Sequence, residues 1–355
     1  MKISEATRDK ILGGKKPVKV VGLITQNMVI NNLQNLFKSD NNFIAIDADG
    51  YYKAQNKYVC EMVKWMKHKS PRKFHVSPKS TMKYSIVGLI GDICSEMITV
   101  DVGQKLPMEK IVEIPKTFKI YRIVLTDEHG TTIMESKQMA KKCHKIQITF
   151  KIDAEHFYSC TTRNIISPKI KGLPRRLDQF QQSKIPVIVF WDNSSVICVS
   201  KNGGNYKFCE KWNGLCGNAL FINFNKKRPF LDTNITVETK MDTVVFDFLK
   251  ILSMPIDNIE IDEGWKFRFT KDAENPCLIE FTNFDGEKKA ATPTLLMAIL
   301  LRQHLKIITE EIGQKPKQIG ISCIDNFNAG ERKRVEEKIQ ESCQLLNIQC
   351  NFIRT

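Results

Sequence analysis

The sequence predicts an α/β fold combined with an all-β module, and three observations carry that expectation. Strand-like and helix-like stretches alternate from Pro186 to the end of the chain, short runs of alternating polarity fill Tyr84 to about Ile165, and a proline-containing basic stretch separates them. At 355 residues the chain exceeds the length at which single cores usually stop growing, so two or three domains are expected.

Near the start, Val18–Gly22 is an apolar strand-like run and Asn31–Phe37 carries leucines at helical spacing, which reads as strand, turn, helix. Residues 83–166 form the β-rich domain, with runs such as Met97-Ile98-Thr99-Val100 and Ile146-Gln147-Ile148-Thr149-Phe150. Ser167–Pro186 contains three prolines, one glycine and a basic cluster, so residues 167–185 are expected to be an interdomain linker. From residue 186 a hairpin is expected: Pro186–Phe190 as a strand, Asp192–Ser195 as a turn and Val196–Val199 as the returning strand.

The C-terminal portion has the clearest punctuation. Thr292 can cap a helix whose first position is Pro293, and the apolar run through Ile312 stops at Gly313 with Pro316 beyond. Gln318–Ile324 reads as a strand. After Asn328 a second helix places Val335, Ile339, Cys343 and Leu346 on one face, and Ile348–Ile353 returns as a strand.

Composition narrows the functional classes. With 42% hydrophobic and 26% charged residues the chain should fold rather than remain disordered. The opening MKISEATRDKILGG lacks a signal-peptide core, and the longest apolar stretch, Leu295–Leu301, is far too short to cross a bilayer, so a soluble cytoplasmic or nuclear protein is expected. Eleven cysteines without a CxxC suit reduced thiols. The net charge of +15 would attract nucleic acid, anionic lipid or acidic proteins, although the lysines are spread out and the clusters Lys64–Lys73 and Lys169–Arg176 read as solvated faces or linkers. Cys143, His144, His156 and Cys160 fit no usual zinc spacing, His304 reads as packed or solvated, and no Ser-His-Asp or Cys-His arrangement is expected.

Several stretches resemble the heat shock protein 70 (DnaK-like) chaperone family. Lys317–Asn347 is similar to the family segment V-P-A-Y-F-N-D-A-Q-R and its following helix, with Phe327-Asn328 and Arg332 matching in place. Asp242–Lys250 looks like N-T-V-F-D-A-K-R, and Val187–Val199 occupies the position of G-I-D-L-G-T-T. Lys145–Thr162 resembles Q-I-E-V-T-F-D-I-D-A-N-G-I-L-N-V-S-A without a gap, and Ser85–Pro107 fits the strands before it. Val18 to about Cys60 looks like the last part of a nucleotide-binding domain.

The resemblance implies actin-like (ribonuclease-H-like) ATPase-domain fragments with an intervening peptide-binding β-sandwich. Residues 1–75 would be the end of a nucleotide-binding domain, 83–166 the peptide-binding domain and 186–355 the first half of a nucleotide-binding domain, an order unlike the family's own. It implies an ATP-binding molecular chaperone that takes up extended apolar peptides or unfolded protein, with co-chaperones as further partners. Asp192, Asn193, Ser194, Gly22 and Thr25 would be vestigial nucleotide contacts, and Ile93, Met97, Ile114 and Ile123 would line the peptide pocket unless they are sandwich core. Glu96 would place charge at the mouth of that pocket.

Hydrolysing ATP needs Mg²⁺, carboxylates to hold its hydration shell, and a cation near the terminal phosphate. Phe190 stands where the family has its first-strand aspartate, Asp192 replaces a phosphate-loop glycine, Leu249 replaces the lysine with Lys250 beside it, and Arg354 replaces a glutamate. Gly22-Leu23 stands for a glycine pair, and Ile324 for the proline that couples the domains. ATP with Mg²⁺ is therefore expected to bind weakly or not at all, without ATPase activity. The alternative expectation is a basic scaffold that binds nucleic acid or acidic partners.

Overall fold

Apolar residues recur at every second position of the strands between residues 83 and 165 and at helical spacing nearer the C-terminus, and each pattern buries a different core. The computed structural model describes residues 5–13, 19–23, 27–37, 43–68, 78–140 and 142–354. The chain divides into two compact units, Met1–Ser77 and Pro78–Thr355.

In the first unit, α1 (Glu5–Leu12) precedes β1 (Val20–Leu23), α2 (Asn27–Leu36), β2 (Phe43–Ile46) and α3 (Ala48–His68). β1 and β2 pair in parallel, Val20 opposite Phe43 and Gly22 opposite Ala45, which a right-handed crossover helix permits. Phe37 closes α2 and stacks on Phe43 at 4.9 Å between ring centres.

The second unit begins with seven antiparallel strands: β3 (Lys83–Ile90), β4 (Ile93–Val100), β5 (Met108–Pro115), β6 (Ile120–Asp127), β7 (Gly130–Gln138), β8 (Lys145–Ile152) and β9 (Tyr158–Ile165). They form two sheets, ordered β4-β3-β6-β7 and β5-β8-β9. Alternation makes each sheet one-sided: Ile146, Ile148, Phe150 and Ile152 of β8 are buried while the intervening side chains are not. These meet Tyr84, Ile86, Ile98, Val100 and Ile123 of the other sheet in one core. Burying each such side chain contributes about 1.5–3 kcal/mol.

The remainder is an α/β layer. Helices α4 (Pro168–Lys171) and α5 (Leu173–Phe180) lead into β10 (Val187–Trp191), β11 (Ser194–Ser200), β12 (Tyr206–Phe208), β13 (Asn218–Ala219), β14 (Ile222–Asn223), β15 (Phe230–Leu231) and β16 (Val244–Val245). Then come α6 (Phe248–Ser253), β17 (Arg268–Thr270), β18 (Leu278–Thr282), β19 (Lys288–Ala291), α7 (Pro293–Ile312), β20 (Gln318–Cys323), α8 (Ala329–Leu345) and β21 (Gln349–Phe352). The main sheet is ordered β12-β11-β10-β20-β21, antiparallel among its first three strands and parallel across β10, β20 and β21. Two small antiparallel sheets, β15-β14-β16 and β17-β18-β19, flank it.

Local chemistry sets the two long helices. The Thr292 hydroxyl accepts from the Leu295 N–H, Pro293 occupies the first turn, and Gly313 ends α7 at φ +80°. α8 starts with a capping box between Asn328 and Glu331. α7 and α8 cover one face of the main sheet, burying Ile188, Phe190, Ile197, Ile319 and Ile321. The stretch expected as a linker covers the other face: Ile170, Leu173 and Leu177 of α4 and α5 pack on Val187, Val189, Trp191, Val196 and Cys198. Residues 167–185 are thus structural cover, and two of the three prolines, Pro168 and Pro174, sit in the first turns of α4 and α5.

The all-β module and the α/β layer share a core, because Ile90 and Ile93 at the β3–β4 turn belong to the apolar cluster of the layer. In that turn the Asp92 N–H donates to Thr239 O at 3.2 Å, and the Asp92 carboxylate accepts from the Met241 N–H at 3.1 Å. Among the described residues no helix is long and apolar enough to cross a membrane.

Gly91 makes this close approach possible. A β-carbon there would stand 2.5 Å from Met241 Cγ and 2.6 Å from Thr239 O, whereas one at Gly103 meets nothing within 4 Å, and both residues have positive φ. Gly103→Ala is expected to cost about 1 kcal/mol from backbone strain alone. Gly91→Ala should cost roughly 2–4 kcal/mol, since overpacking adds to the strain. Urea unfolding of the two variants checks the difference, and equal losses would mean the turn is not tightly seated.

Candidate functional site

Two parallel strands end side by side, and polar loops follow them. In open α/β sheets ligands bind outside the carboxyl ends of the strands, where loops diverge. β10 ends at Trp191 and β20 at Cys323, with Phe190 opposite Cys323 in the ladder. The β10–β11 turn is tighter than the sequence suggested. Asp192 and Asn193 alone form it, because Ser194 already pairs with Trp191. Asp192 takes φ +44°, a left-handed conformation that aspartate and asparagine tolerate best after glycine.

Three aspartates meet at the turn, and only Asp192 among them is expected there from the sequence. The Asp192 N–H donates to Asp325 Oδ1 at 2.9 Å. The Asp247 N–H donates to Asn193 Oδ1 at 2.9 Å, and the Leu220 N–H to Asn193 O at 2.9 Å. Asp247 precedes α6 at φ +60° and its carboxylate accepts from Trp265 Nε1 at 2.9 Å. Burial pushes the Asp247 carboxyl up to about 6, against the pull of Trp265 and Lys250. Burial likewise raises Asp325 to about 6, and the Asp192 charge adds to both shifts. The Asn193 Nδ2 group is buried without a hydrogen-bond partner.

The other predicted nucleotide residues do not join this cluster. Ser194 is buried within β11, Gly22 lies in β1 of the first unit, and Thr25 lies outside the described residues. Lys250 pairs with Asp262 at 2.6 Å and sits over the Trp265 ring, while Arg354 pairs with Glu336 at 3.1 Å.

The four predicted peptide-pocket residues also fail to form an open pocket. Ile114 and Ile123 are 4% and 0% exposed in the core between the two antiparallel sheets, and Ile93, 5% exposed, packs into the α/β core. Met97 is half-buried with its methyl over Gly88. Ile114, Ile123 and Met97 serve the sandwich interior, which is the core reading of those positions, whereas Ile93 belongs to the core of the α/β layer. Glu96 is exposed and is held by Ser85 Oγ at 2.8 Å, Lys83 Nζ at 3.2 Å and Thr99 Oγ1 at 3.2 Å, which together hold its carboxyl below the usual range.

Two buried histidines do structural work. His304 is held by Leu300 O at 2.9 Å, which requires a proton on Nδ1, so Nε2 accepts from Ser195 Oγ at 2.8 Å. Trp212 Nε1 donates to Ser195 O and Oγ, both at 3.0 Å. Burial lowers His304 to about 4. This serine–histidine pair has no solvent access, so it is a tie within the core and not a nucleophile. His144 accepts from the Ser167 N–H at 2.8 Å through Nδ1 and donates through Nε2 to Leu215 O at 2.8 Å, joining the all-β module to the layer. Beside it the ammonium of Lys116 donates to Gly217 O at 2.7 Å and to Cys216 O. Both ring nitrogens of His144 are occupied, and among the described residues no group of three or more His, Cys, Asp or Glu could hold a metal ion.

Scanned against protein-family models the chain matches none, and no curated protein matches it.

The Asp247 shift has a definite sign. Above about pH 6 its carboxylate is charged in both the folded and unfolded chain, and the folded state bears the cost of burying it. As pH falls from 6 towards the ordinary 3.8 the folded chain takes up a proton that the unfolded chain lacks, so the cost is relieved. Asp247→Asn keeps an acceptor for Trp265 and tolerates the left-handed φ. It should stabilise the protein by roughly 1–2 kcal/mol at pH 8, discounted for partial solvent screening, with the gain fading below about pH 5. Thermal melts of variant and parent across pH 4–8 check this, and the buried histidines cancel in the comparison. A pH-independent gain would place the cause elsewhere.

Proposed function

We infer that the chain is a degenerate heat shock protein 70-like chaperone that holds extended apolar polypeptide without turning over ATP. The observation that carries the reading is the pairing, within one unit, of a main sheet ordered β12-β11-β10-β20-β21 with a module of two facing antiparallel sheets. That strand order suits an actin-like (ribonuclease-H-like) layer, and the module suits a peptide-binding sandwich. The cytoplasm or nucleus is the proposed setting, where eleven unpaired cysteines would stay reduced.

The residues at the expected phosphate turn do not fit ATP with Mg²⁺. A phosphate-binding turn presents free backbone N–H groups and excludes nearby negative charge. Here the Asp192 N–H is directed at Asp325, the Asn193 amide oxygen is taken by Asp247, and three carboxylates converge on the turn. Lys250, the nearest substitute for the family's lysine, is committed to Asp262.

Binding of polypeptide makes smaller demands, since an extended segment can add to a sheet edge through main-chain hydrogen bonds. β7 is the nine-residue edge strand of its sheet, and its Ile133 and Met134 are 53% and 44% exposed. They offer the apolar contacts an extended ligand needs, in place of the buried Ile93, Ile114 and Ile123.

Fluorescence anisotropy with a labelled extended apolar peptide is expected to show binding that changes little with salt and weakens at least about fivefold in the double variant Ile133→Asp, Met134→Asp. Radiolabelled ATP should turn over no faster than a protein-free blank. Turnover well above the blank, abolished by Asn193→Ala with Ser194→Ala, would overturn the second half of the reading. The net charge of +15 favours one other reading, a basic scaffold for nucleic acid or acidic partners. Affinity for a polyanion that falls steeply with salt, together with no peptide binding, would select it.

A further inference from the structure

Where the all-β module meets the α/β layer there is a cavity of about 590 Å³, within the size range of small-molecule sites. Its walls come from both partners: the Lys116–Ile120 and Gln138–Ala140 segments on one side, and residues 211–219 and 233–237 on the other. Three of the lining residues are lysines, Lys116, Lys119 and Lys211, and among the described lining residues there is no aspartate or glutamate. Some exposed lysines elsewhere, such as Lys83, Lys151 and Lys289, have a carboxylate within 3.2 Å.

The polar remainder of the wall suits the same kind of ligand. Asn234 and Thr236 are further polar residues of the wall, Asn213 is tied by its amide to Gly217 O at 2.7 Å, and Phe118 and Ile235 supply an apolar flank. Lys116 is fixed rather than loose: it directs two of its three N–H groups to Cys216 O and Gly217 O and lies 5.5 Å from the centre of the Trp191 ring. Burial pushes its ammonium down to about 8, so its charge is held at a cost that a nearby anion reduces. Lys211 donates to Glu310 O at 3.3 Å and stands 3.8 Å from the Glu310 carboxylate, a distance too long for a strong ion pair.

The geometry points to this cavity as a binding site for a small organic anion that carries two or more adjacent negative charges, whether phosphates or carboxylates, on a partly apolar body. The ligand touches both the module and the layer, so it acts as a bridge between them. A ligand that binds only the folded state raises the melting temperature in proportion to its occupancy. The assignment does not depend on the chaperone reading.

The test uses the full chain in chloride buffer, with inorganic pyrophosphate as the phosphate probe and citrate as the carboxylate probe, followed by isothermal calorimetry and thermal melts. At least one probe is expected to bind with a dissociation constant at or below about 1 mM and to raise the melting temperature. The double variant Lys119→Ala, Lys211→Ala should weaken that binding at least tenfold, while Lys266→Ala with Lys271→Ala, which removes the same charge on exposed positions outside the cavity, should leave it within about twofold. Lys211→Ala alone, at an exposed position, should give a partial loss even if the double variant fails to fold. A response to pyrophosphate alone identifies a phosphate site, and a response to citrate alone a carboxylate site. No binding of either probe at about 1 mM, or equal losses in the two double variants, overturns the proposal.

Discussion

Strand β10 is paired on both edges and buried on both faces, and nearly everything else in the second unit answers to that. All five residues Val187–Trp191 are buried, with β11 antiparallel on one edge and β20 parallel on the other. An apolar run of this kind is stable only if both faces are covered. α7 and α8 cover one of them. The other would be left open by the strand order alone, and α4 and α5 close it with Ile170, Leu173 and Leu177. The same strand fixes the turn at Asp192, because its parallel pairing with β20 sets Asp325 at the neighbouring strand end.

The all-β module is attached to this layer through the β3–β4 turn and through two buried polar side chains. Gly91 lets the β3–β4 turn approach Thr239 and Met241, and Ile90 and Ile93 enter the core of the layer. His144 and Lys116 reach the carbonyls of Leu215, Cys216 and Gly217. A buried ammonium is costly unless its hydrogen bonds are made, so Lys116 holds the carbonyls of residues 216 and 217 in one position as firmly as they hold it. Gly217 must accept that position with φ +60° and a β-carbon site only 2.0 Å from Ser195 O, which no other residue could fill.

Much of the fold was legible in the sequence where local chemistry decides it. The Thr292 cap and the Gly313 stop bound α7, Asn328 starts α8, and the alternation from Lys145 to Ile152 marks β8. The failures have a common cause. Prolines and a glycine between residues 167 and 186 suggested a linker, yet Pro168 and Pro174 are helix-starting prolines, and the spacing of Ile170, Leu173 and Leu177 held the contrary signal. Ile93, Ile114 and Ile123 alternate as pocket residues would, and only the second sheet and the α/β layer show which side of each strand is inside. Asp192 was visible in its turn, but Asp247 and Asp325 lie 55 and 133 residues away along the chain, and only the pairing of β10 with β20 and the bond from Asn193 bring them together. The Lys116 cavity was equally hidden, since its walls come from segments nearly a hundred residues apart.

The crevice and the joint between module and layer together limit what the molecule can do. At the crevice the Asp192 N–H is taken by the Asp325 carboxylate and the Asn193 amide oxygen by the Asp247 N–H, and burial raises the carboxyls of Asp247 and Asp325. A ligand that used the Asp192 N–H or the Asn193 amide oxygen would have to break those bonds first. At the joint, moving the module away from the layer would expose Ile90 and Ile93 and strand the Lys116 ammonium from its carbonyls, a change opposed by several kcal/mol. A signal from the turn would have to overcome that barrier to reach the sheet edges, and nothing at the turn offers a ligand enough differential contact to do so. Capture of a peptide along β7 needs no such movement, because the edge is already open. On the proposed reading, such binding would run at equilibrium rather than through a nucleotide cycle.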